Sequence, residues 1–292
     1  MPIGRGYERL LHYSFCKPRG LIEALQVLSE YGSRARIAAG CSNLLPDLKA
    51  RRLQDCLLVD ISELEGLRGI QAEGNWATVG SLTTIAELAG SSLLREGAPL
   101  LWQACQSFGD PLVRNRATLG GNLGHASPAA DTAPPLLAME ASVLAESLSG
   151  GRREFPIAEL FAGPGRTNLR PGELIISLRF RIDEGKKAAF IKFGLRNAMA
   201  ISLASAALSL RMEDGLMQDV KLAYGSLAAT PFRASRTEEC LTGMPCNEET
   251  LALASIEARG EVRPITDIRA SSSYRRLLAG ALLRQAARAA LS

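Results

Sequence analysis

The 292-residue chain contains few of the residues that build metal sites. Its two histidines are His12 and His125, and its six cysteines form no C-x-x-C pair. Zinc sites and iron–sulfur clusters need grouped cysteine or histidine ligands. The sequence therefore predicts no metal site in this chain, and it predicts that the cysteines are reduced thiols of the core.

Long apolar runs and a strong charge excess are also absent. No run approaches the roughly 18 residues that span a bilayer. Gly4, Arg5, Glu8 and Arg9 interrupt the start of the chain, so it lacks the apolar core of a secretory signal. The net charge is only +4, with no long basic run. We expect a cytoplasmic protein with no membrane span and no nucleic-acid partner.

The apolar periodicity predicts an α+β chain of two domains. The first covers 1–182 and opens with a strand–helix–strand unit. The second covers 183–292 and is predicted to be a small antiparallel sheet covered by helices. The charged stretch 183–187 is the predicted boundary between them.

Several local signals predict individual elements. Thr84 and Glu87 form a capping box at a helix start, and Asp214-Gly215 is a hairpin dipeptide. A strand over 174–182 and a helix over 274–290 are each predicted to bury one apolar face. The predicted strand face is Leu174, Ile176, Leu178, Phe180 and Ile182. The predicted helix face is Leu277, Leu278, Ala281 and Leu282.

Two loops of small residues, 38–44 and 114–122, are candidates for binding a phosphorylated ligand. Small side chains let backbone amides approach a pyrophosphate, and Arg114 and Arg116 place positive charge nearby. The alternative is that both loops are only tight turns. Neither G-x-G-x-x-G nor G-x-x-x-x-G-K-[ST] occurs, so a dinucleotide would need a cradle built from the two separate loops.

Motifs along nearly the whole chain, in register, are similar to those of one family. The sequence resembles the FAD-binding medium subunit of the molybdenum hydroxylases, which include xanthine, aldehyde and carbon monoxide dehydrogenases. The segments that carry the resemblance are 37–46, 78–84, 114–122, 126–131, 190–196, 223–226 and 230–233.

The resemblance implies a fold, a cofactor and its contacts. The fold would be a two-subdomain FAD-binding domain of the vanillyl-alcohol-oxidase (PCMH) type, with subdomains of about 1–62 and 63–182. A domain of three antiparallel strands with helices would follow. The residues implied to hold the pyrophosphate and ribityl groups of FAD are Ile37, Ala38, Ala39, Gly40, Cys41, Ser42, Asn43, Leu44, Thr118, Leu119, Gly120, Gly121 and Asn122. The other implied FAD contacts are Phe108, Leu123, Asp131, Ile175 and Lys192.

The chemistry of these further residues suits such contacts. A lysine at 192 would stabilise a flavin that becomes anionic on reduction, Leu123 would exclude water, and Asp131 would accept hydrogen bonds. Each also has a structural alternative: Asp131 could cap a helix, Lys192 could be a solvated strand residue, and Phe108 could belong to the core.

One position departs from the family pattern. The family commonly has Gly where this chain has Cys41, and often Asp where it has Asn43. A Cβ at position 41 would disfavour a positive φ and would crowd a phosphate. Either the backbone tolerates this side chain or FAD binding is weakened. The thiol itself is interpreted as a small buried group.

The resemblance also implies partners. The family's paired iron–sulfur cysteine motifs and its molybdopterin domain are missing here, so an iron–sulfur small subunit with [2Fe–2S] clusters and a molybdopterin large subunit are expected. Electrons would pass from those clusters to FAD and on to NAD or another acceptor, with no catalytic residue supplied by this chain. The run 193–202 favours a xanthine-type enzyme. The alternatives are an aldehyde, carbon monoxide, nicotinate or CoA-thioester dehydrogenase subunit, a flavin-free assembly or binding protein, and a free-standing flavin reductase.

Overall fold

The computed structural model describes residues 13–196 and 200–292. The helices of the described residues are α1 Leu21–Tyr31, α2 Leu44–Lys49, α3 Ile85–Gly90, α4 Ser92–Gly97, α5 Pro99–Gln106, α6 Pro111–Arg114, α7 Leu119–Gly124, α8 Ala133–Ala138, α9 Ser235–Leu241, α10 Glu248–Glu261 and α11 Ser272–Leu291. The strands are β1 Tyr13–Cys16, β2 Ala35–Ala38, β3 Cys56–Asp60, β4 Ile70–Glu73, β5 Trp76–Gly80, β6 Ser142–Ser147, β7 Gly151–Pro156, β8 Phe161–Gly163, β9 Arg166–Thr167, β10 Leu174–Arg181, β11 Lys187–Phe193, β12 Ala204–Glu213, β13 Leu216–Gly225 and β14 Phe232–Arg233.

The chain begins with a small parallel sheet of order β1-β3-β2. Helix α1 covers it with Ala24, Leu25 and Leu28, which are buried at helical spacing. Gly32 ends the helix at a φ of +50°, a conformation that glycine adopts without steric cost. The predicted strand–helix–strand unit is confirmed, because β2 and β3 pair in parallel and α2 connects them.

The next part is a five-stranded antiparallel sheet of order β4-β5-β10-β6-β7, packed against short helices. Both halves of the predicted capping box are present. The Glu87 amide donates to Thr84 Oγ1 at 3.2 Å, and the Thr84 amide donates to the Glu87 carboxylate at 2.8 Å. Strand β5 therefore passes into α3 through a fixed corner.

The prediction of a single buried face on β10 is wrong at its start. The register with β6 shifts between Ile175 and Ser177, which is a β-bulge. A bulge inserts one residue and so inverts the alternation of side chains. Before the bulge, Leu174 and Ile176 consequently join the core beneath α1. The core of the five-stranded sheet contains Ile175, Leu178 and Phe180 instead.

The C-terminal part is an antiparallel sheet of order β11-β12-β13-β14 covered by α9 and α11, and α10 packs against these two helices. The sequence predicts three antiparallel strands here, and the structure has a two-residue fourth strand, β14, beside them. Asp214 and Gly215 have φ values of +51° and +78°, as a type I′ hairpin turn requires. The Tyr224 hydroxyl donates to Ala279 O at 2.9 Å, which ties β13 to α11 inside the core.

The buried face of α11 is displaced from the predicted one. Leu278 and Leu282 are buried as predicted, but Leu277 is 52% exposed and Ala281 also faces solvent. The buried face of α11 includes Leu283, Ala286 and Ala290 instead. The α+β class with a following antiparallel domain is confirmed, while the boundary between residues 182 and 183 stays a prediction.

Two further expectations concern cysteines and membranes. All six cysteines are free thiols, but only Cys56 and Cys105 are fully buried. Within the described ranges, no helix has both the length and the apolar character needed to cross a bilayer.

The burial difference along α11 predicts the effect of two leucine truncations. Leu283→Ala is expected to lower the free energy of unfolding by about 2–5 kcal/mol, because Leu283 is fully buried and its removal leaves a cavity. The matched variant Leu277→Ala is expected to change it by no more than about 0.5 kcal/mol. Urea unfolding of both variants tests this, and equal losses would contradict the assigned face.

Candidate cofactor-binding site

A cavity of about 740 Å³ lies where the parallel sheet, the second small-residue loop and the start of β10 meet. This volume falls within the range of cofactor and small-molecule sites. The predicted site residues that line the cavity are Ile37, Ala39, Gly40, Cys41, Ser42, Asn43, Leu44, Phe108, Thr118, Gly120, Gly121, Asn122 and Ile175.

The two loops, distant in sequence, touch each other through their backbones. A Cβ added at Gly40 would overlap the carbonyl oxygen of Arg116 and would also meet Ala117 Cα at 3.1 Å. Only glycine fits at position 40 without separating the loops. The first loop therefore contacts the start of the second at one side of the cavity.

The first loop has unused hydrogen-bond donors. In residues 13–196 and 200–292, the amides of Gly40, Cys41, Ser42 and Asn43 donate to no protein acceptor. Gly40 and Cys41 are part-buried and Ser42 and Asn43 are exposed, so a ligand in the cavity can reach these amides. A run of unpaired amides in a cavity wall is suited to a ligand rich in oxygen acceptors.

The second loop differs from the first in this respect. The Gly120 amide donates to Ser81 O at 2.8 Å, and the Gly121 amide donates to Thr118 Oγ1 at 3.1 Å. The amides of Leu119 and Asn122 are likewise used inside the protein. The expectation that both loops offer amides is therefore wrong for residues 119–122, which instead form a closed part of the wall.

Cys41 occupies the strained conformation expected for this position. Its φ is +58°, in the left-handed region, where a Cβ costs about 1–2 kcal/mol. The backbone therefore tolerates a side chain there. Burial raises the pKa of the Cys41 thiol, and the nearby Asp60 carboxylate adds to the effect, so the thiol stays protonated at neutral pH.

A third wall, missing from the predicted site, comes from the segment before β10. Its cavity-lining members are Gly165, Thr167, Leu169, Arg170, Gly172, Glu173 and Leu174. The glycines and Pro171 indicate turns, but turn signals do not show which surface a loop packs against. Nothing local in the sequence places this segment opposite the first loop.

Glu173 fixes that third wall. Its side chain is only 2% exposed and accepts two bonds from the Arg153 guanidinium, at 2.6 and 2.8 Å. It also accepts the Arg170 amide at 2.6 Å. The hydrogen-bonded Arg153 guanidinium holds the pKa of Glu173 below its usual range, so this carboxylate stays charged.

Some predicted contacts do not line the cavity. Leu119 and Leu123 are fully buried in the core, and Ala38 is buried at the end of β2. Asp131 and Lys192 are also absent from the lining. Phe108 lies between its two interpretations, because it packs against the core and also lines the cavity.

Asp131 and Lys192 bind each other instead. Lys192 Nζ lies 2.5 Å from Asp131 Oδ2, and the Ser202 hydroxyl donates to Asp131 Oδ1 at 2.6 Å. Lys192 also donates to the carbonyl oxygen of Ser107 at 3.2 Å. Both side chains are about nine-tenths buried, so the interpretation of Lys192 as a solvated residue is wrong.

The helix-capping interpretation of Asp131 is also wrong. Helix α8 follows Thr132 and has no side-chain cap.

Arg114 donates to the carbonyls of Gln106 and Phe108, so it holds the end of α5 rather than facing the cavity. Within the run 193–202, residues 197–199 lie outside the described residues. In the described part of the chain, no group of three potential ligands could hold a metal ion.

Comparison with known proteins identifies two family domains in the chain. The FAD binding domain in molybdopterin dehydrogenase matches residues 11–180, and the CO dehydrogenase flavoprotein C-terminal domain matches residues 189–290. The glyceraldehyde dehydrogenase medium chain of Sulfolobus acidocaldarius is 32% identical, over 90% of this chain and 93% of that protein. The xanthine dehydrogenase FAD-binding subunit of Escherichia coli O157:H7 is also 32% identical, over 90% of each chain.

The fold of the chain is also similar to that of a solved structure. A chain of carbon monoxide dehydrogenase from Hydrogenophaga pseudoflava, in a form lacking the Mo-pyranopterin moiety, superposes with a TM-score of 0.93 at 30% identity. The match covers 96% of this chain and 98% of that chain.

The contact between the loops predicts the effect of a methyl group. Gly40→Ala is expected to lower the free energy of unfolding by about 1–3 kcal/mol, because the loops must separate. Gly260→Ala is the control, since Gly260 lies within α10 with open space around it, and there alanine should leave stability unchanged or raise it by up to about 1 kcal/mol. Thermal unfolding measures both. A Gly40→Ala variant as stable as the wild type would contradict the contact.

Proposed function

Because the chain belongs to the FAD-binding medium subunits of the molybdenum hydroxylase family of oxidoreductases, we propose that it binds FAD in this cavity. We propose further that it transfers electrons from [2Fe–2S] clusters on a partner subunit to a final acceptor. The observation that carries the proposal is the run of unpaired amides at residues 40–43.

The lining of the cavity suits the polarity of a flavin dinucleotide. A diphosphate has only acceptor oxygens, and the amides of 40–43 are donors with no partner in the described protein. The glycine at 40 keeps this loop against the second loop, and the closed second loop bounds the space. Phe108 and Ile175 add apolar surface to the wall, as a flavin ring requires.

When bound, FAD supplies the redox chemistry, and the protein supplies binding and orientation. In this proposal the amides of the first loop hold the pyrophosphate, while the wall fixed by Glu173 closes the opposite side. Leu123, Asp131 and Lys192 stay predicted FAD contacts. Because Asp131 pairs with Lys192, the positive charge of this lysine would be shared between the carboxylate and the cofactor.

The proposed partners are an iron–sulfur small subunit and a molybdopterin large subunit, with NAD or another molecule as acceptor and a cytoplasmic location. The relatives named as medium chains or FAD-binding subunits support the assembly. The xanthine-type assignment stays a prediction, since relatives named for glyceraldehyde and for xanthine are equally similar to this chain. Assay of the reconstituted complex on a substrate panel distinguishes them.

FAD binding is tested on the purified full-length chain. We expect a yellow protein with a flavin absorption spectrum, or a colourless one that takes up added FAD with one site per chain. Titration followed by quenching of flavin fluorescence measures the affinity. A colourless protein that does not bind added FAD would contradict the proposal.

A flavin-free binding protein is the second candidate, and Cys41 favours it because its side chain stands among the unpaired amides. Cys41→Gly removes the Cβ, and Cys41→Ala is the control that keeps it. If the wild type binds FAD, Cys41→Gly should bind at least as well and should be more stable by about 1 kcal/mol. If the wild type and Cys41→Ala bind none and Cys41→Gly binds, the second candidate is correct.

A further inference from the structure

Ser81 carries a hydroxyl that the folded chain leaves without a partner. The residue is 3% exposed, and its Oγ is buried with no hydrogen bond. Other buried side-chain atoms without a partner in the described residues belong to Glu257, Arg275 and Arg284, outside the cavity. Ser81 is the one that lines it.

The position of Ser81 is fixed from two sides. Its amide donates to Ile176 O at 2.9 Å, beside the bulge of β10, and its carbonyl accepts the Gly120 amide at 2.8 Å. A Cβ at Gly120 would lie 2.6 Å from the Ser81 Cβ, so the second loop packs directly on this side chain. The backbone of Ser81 is therefore held in the wall of the cavity.

Neighbouring hydroxyls are satisfied. Thr83 Oγ1 donates to Gly69 O at 3.0 Å and accepts the Gly69 amide at 2.9 Å, and Thr118 Oγ1 accepts the Gly121 amide. Folded proteins rarely leave a buried hydroxyl unpaired, because the loss of hydration is not compensated. The missing partner at Ser81 thus points to a group that the protein itself does not contain.

We propose that Ser81 is a ligand-contacting residue whose hydroxyl donates a hydrogen bond to an oxygen atom of the bound dinucleotide. The inference rests on the proposed function. It adds a ligand contact from the corner between β5 and α3 to those proposed for the two small-residue loops. Binding would supply the partner that the ligand-free fold lacks.

This role predicts opposite effects of one substitution on stability and affinity. Ser81→Ala removes an unpaired hydroxyl, so the melting temperature without FAD should stay unchanged or rise. The same change removes a ligand contact, so the dissociation constant for FAD should rise about tenfold, which corresponds to a loss of about 1.4 kcal/mol of binding free energy. The rise in melting temperature caused by a fixed FAD concentration should shrink accordingly.

Ser255→Ala is the matched control. Ser255 is equally buried, but its hydroxyl donates to Leu251 O at 2.6 Å and Gly280 O at 3.2 Å, between α10 and α11. Its replacement should lower the melting temperature and leave the dissociation constant for FAD unchanged.

Both variants and the wild type are measured as full-length chains, by FAD titration and by thermal unfolding with and without FAD. A tenfold weaker affinity with undiminished stability for Ser81→Ala supports the inference. Wild-type affinity, or a stability loss like that of Ser255→Ala, overturns it while the proposed function stands. A wild type that binds no FAD removes the proposed function and this inference together.

Discussion

The backbone contact between Gly40 and the Arg116 carbonyl is the constraint on which the cavity depends. It joins the end of β2 in the parallel sheet to the loop that precedes α7, across a long stretch of sequence. Side-chain bulk at position 40 would move the two loops apart, and the amides of 40–43 would lose their place in the cavity wall. Glycine is needed here because it has no side chain, which permits the close approach of the two backbones.

The two loops divide the work differently from what their similar composition suggests. The amides of 40–43 in the first loop have no protein acceptor. The amides of 119–122 in the second loop donate hydrogen bonds to Ser81, Thr83 and Thr118. The first loop packs on the second through the carbonyl of Arg116. Cys41 shows that a left-handed position next to Gly40 accepts a side chain at a cost that the surrounding contacts offset.

What the sequence predicts well is local. The capping box of Thr84 and the Asp214-Gly215 turn are read from adjacent residues, and both occur as predicted. The bulge after Ile175 and the wall fixed by Glu173 depend on pairing between segments far apart, so no short pattern encodes them. The same holds for Lys192, whose partner Asp131 is distant in sequence and was predicted as a separate contact.

Hydrogen exchange of individual backbone amides, with and without saturating FAD, tests the central claim most directly. The amides of 40–43 should exchange rapidly in the free protein, because they have no protein acceptor, and should become strongly protected when FAD binds. The amides of 119–122 should be protected in both states. Exchange at 40–43 that stays the same when FAD is bound would contradict the account.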